Sequence, residues 1–280
     1  MKEFLKNILP NSLKSFIRKS SANSWSGNFS SWEEALKKSS GYNQEQILEK
    51  VKNATLKVKT GEAVAERDSV ILNEIEYSWP LVAAIMTAAA LNGNGKLKVL
   101  DFGGSLGTSY FQNKHFLDLL NDVNWAIVEQ ESYISVGREF IQDNRLRFCS
   151  TIEESIRQNG SPDITLISSC LPYLKNPYEV LQKLIESQSE FFVIDNTYFN
   201  LHPADRLTVQ QVPKQIYEAS YPAWFLDYDK IKSILETHYH IISEHQHDNF
   251  LFLEGKKIYY RGLIAKLKKT VATDKLNTLP

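Results

Sequence analysis

From residue 96 onward the chain alternates short apolar runs with amphipathic stretches. Segments 97–100, 125–128, 146–148, 163–167 and 191–194 are rich in Val, Ile, Leu and aromatic residues and read as strands. Helical periodicity fills the gaps over 109–120, 133–142, 152–157 and 177–186. Alternation at this spacing predicts a mostly parallel sheet covered on both faces. A helix at 228–236 and extended stretches at 239–245 and 258–265 break the alternation. They predict an antiparallel hairpin at one end of the sheet.

The pattern before residue 96 is helical. Phe4, Leu5, Ile8, Leu9, Leu13, Phe16 and Ile17 fall at helical spacing among Lys2, Lys6, Lys14, Arg18 and Lys19, with Pro10 interrupting. Such a helix can dock on the protein or a partner subunit, or lie on an anionic membrane surface. Residues 20–31 read as a Ser/Asn/Gly linker. Ser31 and Glu34 have capping-box spacing and open a short helix ending at Gly41. Further helices are predicted over 43–59 and 63–73, and a fourth after Tyr77-Ser-Trp-Pro80. The division expected is a helical lead-in or cap over 1–92, a Rossmann-like α/β domain over 93–269 and a disordered tail over 270–280.

Composition narrows the partners. The 280 residues carry a formal net charge of -1, so nothing draws the chain generally to nucleic acid. Cys149 and Cys170 lie in apolar stretches and read as buried, reduced thiols rather than a disulfide. The longest apolar run, 81–91, is too short to span a bilayer, and no secretory signal is apparent. The chain is expected to be cytoplasmic, with contact at the inner membrane face left open through the basic N-terminal helix. Homo-oligomerisation is also left open.

The first strand runs into Asp101-Phe-Gly-Gly-Ser-Leu-Gly107. Glycines there let the backbone turn tightly and let a ligand approach. No register of Gly103, Gly104 and Gly107 gives the Gly-x-Gly-x-x-Gly that a dinucleotide pyrophosphate requires. The string instead resembles the acidic-x-Gly-x-Gly-x-Gly motif of S-adenosylmethionine-dependent methyltransferases, with Ser105 in the second Gly position. Glu129 ends the second strand, followed by Gln130, where a carboxylate can accept both ribose hydroxyls of an adenosine. Ile152 is expected beside the adenine, and Ser168 and Ser169 beside the methionine portion of the cofactor.

Further strings carry a resemblance over about residues 25–266: Gly61 to Asp68, Tyr77 to Pro80, Val99 to Gly107, Tyr110 to Asn113, Asp205 to Gln210 and Ile216 to Trp224. In these the chain resembles a bacterial family of methyltransferases associated with surface-polysaccharide gene clusters. The resemblance implies methyl transfer from S-adenosylmethionine to oxygen or nitrogen of a small or carbohydrate-linked acceptor. It does not identify that acceptor. Two competing readings are a nicotinamide-dependent oxidoreductase and a non-catalytic scaffold in a polysaccharide assembly complex. The glycine spacing and the lack of a well-placed Tyr-x-x-x-Lys pair disfavour the oxidoreductase.

The acceptor end is expected in the long loop after the fifth strand. Asp195 or His202 is a candidate general base. Arg67 and Arg206 are candidates to hold an anionic acceptor, and Tyr221 and Trp224 to pack on it; Glu218 lies in the same stretch. The alternative has Asp195 capping a turn, Arg206 paired with Asp205 and the aromatics in the core. His238, His240, His245 and His247 read as solvated residues beside an edge strand, the two pairs on opposite faces, with no Cys or close carboxylate to complete a ligand set. No metal is expected. Lys256, Lys257, Lys266, Lys268 and Lys269 read as solvated protection of an edge.

Overall fold

The computed structural model describes residues 24–40, 44–67, 69–212 and 219–269. The predicted basic N-terminal helix, Glu218 and the predicted tail over 270–280 lie outside them. The chain forms β1 (Ser24–Phe29), α1 (Trp32–Lys38), α2 (Gln44–Lys59), β2 (Ala65–Arg67), β3 (Val70–Leu72) and α3 (Trp79–Leu91). It continues through β4 (Lys96–Phe102), α4 (Thr108–Gln112), α5 (Lys114–Leu117), β5 (Asp122–Val128), α6 (Glu131–Val136) and β6 (Leu146–Cys149). Next come α7 (Ile152–Asn159), β7 (Ile164–Ser168), α8 (Pro177–Ile185) and β8 (Phe191–Thr197). The chain then runs through β9 (Arg206–Val212), β10 (Ala219–Phe225), α9 (Tyr228–Leu235), β11 (Tyr239–Leu253) and β12 (Lys256–Leu267).

The main sheet has seven strands in the order β11-β12-β8-β7-β4-β5-β6. The five from β6 to β8 are parallel, and β12 and β11 close one edge antiparallel. This is the mostly parallel Rossmann-like α/β fold expected from the alternation. From β4 the chain builds first toward β6, then returns to lay β7 on the other side, so a crevice opens at the carboxyl ends of β4 and β7.

Both faces are covered. Leu97, Val99, Trp125 and Ile127 pack against Leu81, Ile85 and Ala88 of α3 and Val51 of α2. On the other face Leu100, Ile167 and Ile194 pack against Leu181 and Leu184 of α8 and Ile231 and Leu235 of α9. Capping starts the helices where Ser or Thr precedes Glu. Ser31 Oγ accepts from Glu34 N at 3.2 Å, and Thr151 Oγ1 accepts from Glu154 N at 3.0 Å. No helix among the described residues is long and apolar enough to cross a membrane.

Three expectations fail for related reasons. Residues 24–29, read as linker, form β1, which pairs with β9, itself paired with β10, in a three-stranded sheet. Only Trp25 of β1 is buried, so the strand shows no alternation, and its partner lies about 180 residues away. Residues 63–73, read as a helix, form the β2–β3 hairpin around Ser69, whose φ is 67°. The long loop after Asp195 carries two strands, β9 and β10. The β1–β9 ladder and the packing of α3 on the main sheet tie residues 24–91 to the rest of the fold.

Ile85 is fully buried between α3 and the sheet. Ile85→Ala should lower the unfolding free energy by about 2–5 kcal/mol in urea titrations, because the cavity lies between two rigid layers.

Candidate active site

Register brings the site residues into line. Phe102 stands opposite Val128 on one side and Ile167 on the other, and Ser168 stands opposite Asp195. Glu129, Gly103, Ser168 and Asp195 therefore form one row across the carboxyl ends of four neighbouring strands. At roughly 4.8 Å between strands the row is about 14 Å long.

The turn after β4 is left-handed at Gly103 (φ 73°), Ser105 (φ 55°) and Gly107 (φ 105°). Two of its glycines answer to the protein itself. A Cβ on Gly103 would collide with Cys170 Sγ, and one on Gly104 would lie 2.5 Å from Asp101 Oδ2. Cys170 is a free thiol, held well above its ordinary pKa by burial and by the charges of Glu129 and Asp101.

Glu129 reaches back over this turn. Its Oε1 accepts from Ser105 N at 3.2 Å and its Oε2 from Gln130 N at 2.8 Å. Burial raises its pKa, against those two hydrogen bonds. Each oxygen keeps a lone pair for a further donor. Ile152, at the start of α7, is buried with Val128 and Cys149 near the same strand ends.

Asp101 does not face the crevice. It is fully buried beside Trp125, whose Nε1 donates to Oδ2 at 3.0 Å, while Oδ1 has no partner. Alternation along β4 turns its side chain toward the layer of Val99 and Trp125, beneath the turn. Its role is to support the turn from below. Burial pushes its carboxyl up to about 7, helped by the Glu129 charge and opposed by the Trp125 bond.

At the other end of the row Asp195 is buried and heavily bonded. Its Oδ1 receives Ser78 Oγ at 3.0 Å and contacts His245 Nε2 at 3.1 Å and His247 Nε2 at 2.9 Å. Burial alone would raise the carboxyl; the two imidazoles outweigh it and hold Asp195 well below the usual carboxylate range. Asn196, left-handed at φ 44°, follows at once. Its carbonyl accepts from Ser169 Oγ at 2.7 Å, and its side-chain oxygen accepts from Asn249 Nδ2 at 2.8 Å. A carboxylate held this low by two imidazoles is a poor general base.

The reading of solvated histidines holds for His238 and His240, which are exposed. It fails for His245 and His247. The carboxylate missing near them in sequence comes from β8, across β12, and the ligand atoms of all three lie within 4.8 Å of one another. Spacing of two along a strand already put both imidazoles on one face. Ser78 was legible only as part of Tyr77 to Pro80, and nothing local tied that string to Asp195.

The remaining acceptor candidates disperse. His202 is exposed, and its side chain makes no hydrogen bond among the described residues. Arg206 donates from Nε and Nη2 to Gly27 O at 3.0 and 2.8 Å and pairs with Glu254 at 2.6 Å, so it clamps β1. It does not pair with Asp205, which instead accepts from Tyr178 OH at 2.5 Å and Lys230 Nζ at 3.0 Å. Arg67 lies 3.9 Å from Glu76 on the β2–β3 hairpin, which meets the helix after the glycine turn through Glu66 and Thr108. Tyr221 packs edge-to-face on Tyr173, 5.6 Å between centroids, close to the end of β7. Trp224, three residues on, points to the other face of β10 and stacks on Trp32. There it lines a cleft of about 280 Å³ with Lys175, Tyr178 and Lys230.

No protein-family model matches the sequence, and no curated protein does. Solved structures similar to the chain include a magnesium protoporphyrin IX methyltransferase from Synechocystis PCC 6803 with bound SAM. That likeness is 14% identical over 68% of this chain and 79% of that one, at a TM-score of 0.42. The glycopeptide N-methyltransferase MtfA complexed with SAM is 12% identical over 67% and 94%, at 0.43. The N-terminal domain of EvdMO1 in the presence of SAH and D-fucose is 12% identical over 81% and 98%, at 0.44. The fold itself is defined by this chain's own strand order and its closing hairpin.

Asp101 yields a stability test. Its folded pKa of about 7 exceeds the ordinary 3.8, so the folded chain retains a proton that the unfolded chain releases. Its contribution to stability is therefore full below the ordinary value and is lost as pH rises through the folded one. Asp101→Asn keeps an oxygen for Trp125 and cannot ionise. The difference in Tm, variant minus wild type, should rise between about pH 4 and pH 8 in scanning calorimetry. A difference independent of pH would show that Asp101 does not titrate there.

Proposed function

We propose that this chain is an S-adenosylmethionine-dependent methyltransferase acting on a small or carbohydrate-linked acceptor. The observation that carries the reading is the Glu129 carboxylate laid against Ser105 N at 3.2 Å. A negative group on that amide is incompatible with a pyrophosphate, which would need the turn's free N–H groups. The same group suits an adenosine, whose ribose hydroxyls can donate to the open lone pairs of Glu129. It also tolerates a donor whose sulfonium and ammonium are cationic. Gly103, Gly104, Ser105 and Gly107 would cradle the cofactor backbone, Gln130 and Ile152 would flank the adenine, and Ser168 and Ser169 would flank the methionine portion.

Methyl transfer is an in-line displacement, so positioning of the acceptor dominates the work of the residues. In this reading the acceptor sits above β7 and β8, beside Ser169 and Tyr221, with Arg67 on the cofactor side. Asp195 orients His245 and His247 and is not the base. Membership of a polysaccharide-modifying pathway accords with the sequence resemblance and forms part of the proposal.

Calorimetry with S-adenosylmethionine, S-adenosylhomocysteine and NAD tests the reading, with binding of the first two expected. Glu129→Ala should weaken both by more than about tenfold, since each hydrogen bond to a charged acceptor contributes roughly 1.5–3 kcal/mol. Tight binding of NAD alone would overturn the reading, and unchanged affinity in the variant would place the adenosine elsewhere.

A further inference from the structure

We propose that Asp195, His245 and His247 form a binding site for a divalent first-row transition-metal ion at the acceptor end of the strand row. The three ligand atoms come from two elements that meet only in the folded chain. Asp195 ends the parallel strand β8, and both histidines lie on the edge strand β11, with β12 between them. His245 crosses β12 directly over Gly262, its register partner. A Cβ on Gly262 would collide with His245 Nε2 and stand 2.8 Å from Ile194 O, so the missing side chain is what lets the imidazole reach Asp195.

The geometry fits ligands better than a hydrogen-bond network. Two imidazole nitrogens and the Ser78 hydroxyl converge on one oxygen, Asp195 Oδ1. His247 Nε2 also accepts from Asn196 N at 3.3 Å, so it presents a lone pair rather than a proton to Asp195 Oδ1 at 2.9 Å. A cation between the ligand atoms relieves that apposition of lone pairs. Each Nε2 then gives its lone pair to the ion, and Oδ1 gives one to the ion and keeps the other for Ser78. A ligating carboxylate held by an outer hydrogen bond is the usual arrangement. Two ligand atoms about 2.1 Å from a common ion and near right angles to each other stand about 3 Å apart. The observed separations are 2.9 and 3.1 Å. Nδ1 of His245 has no partner, which would be so in either case.

Two imidazoles and one carboxylate select the ion class. Zn²⁺, Fe²⁺, Mn²⁺ or Co²⁺ accept such mixed sets, whereas Mg²⁺ and Ca²⁺ prefer oxygen alone. Three protein ligands leave positions open for water or for an oxygen of the acceptor. His245 also lines a cleft of about 380 Å³ with Phe199, Asn200, Tyr259 and Arg261. The ion's use rests on the methyltransferase reading: it would bind a hydroxyl of the acceptor and ease loss of its proton to solvent. The oxygen then forms the new bond to the methyl carbon as the carbon–sulfur bond breaks, its electron pair returning to sulfur.

The test uses the full chain without an affinity tag, stripped with a chelator and titrated with Co²⁺ in the absence of S-adenosylmethionine. One ion per chain is expected, with visible bands from coordinated cobalt. His245→Ala, His247→Ala and Asp195→Asn should each weaken binding beyond the roughly 10–100-fold that loss of an outer-shell partner brings. His238→Ala and His240→Ala, exposed on the same edge, should leave it unchanged. Zn²⁺ should raise the Tm of the wild-type chain, a readout that needs no variant. An unmoved Tm together with no stoichiometric cobalt binding overturns the site, as does binding that depends on His238 or His240. Ion binding without affinity for S-adenosylmethionine upholds the site and removes the methyl-transfer role; the reverse pattern removes the site alone.

Discussion

The parallel ladder through β5, β4, β7 and β8 is the constraint on which the rest of the structure depends. Its register places Glu129, Gly103, Ser168 and Asp195 at one level, so four short loops open onto a single crevice. A slip of one residue in any of these pairings would turn a side chain from the strand end into the core. The layers of α3 on one face and α8 and α9 on the other resist such a slip, because the apolar strand residues on each face pack into them.

The row carries charge unevenly. Asp101 and Asp195 are both buried carboxylates near the carboxyl ends of parallel strands separated by β7, yet their acidities move apart. Asp101 has one neutral donor and a like charge nearby, and its pKa rises to about 7. Asp195 receives a hydroxyl and two imidazoles, and its pKa falls. Burial is common to both; the number and kind of donors decide the outcome. Asp101 is thereby suited to supporting the turn, and Asp195 to gathering ligands.

The small sheet of β1, β9 and β10 shows how the acceptor side is closed. Arg206 binds Gly27 O and Glu254, joining β1 to the turn of the β11–β12 hairpin. Trp25, Tyr198 and Phe225 form an aromatic cluster beneath this junction. These contacts consume residues that chemistry alone would have assigned to a ligand.

The sequence by itself determined the alternating core, the closing hairpin, the glycine turn and the acidic residue beside it. Those features are written in local periodicity and in spacing along a few residues, where the physics is short-ranged. Only the tertiary structure decided that residues 24–29 are a strand, that Arg206 is a clamp and that Asp101 lies beneath the turn. It alone brought Asp195 to His245 and His247. Each of these depends on a partner remote along the chain, supplied across a ladder or through a glycine that lets a side chain pass. No window of sequence contains both halves of such a contact.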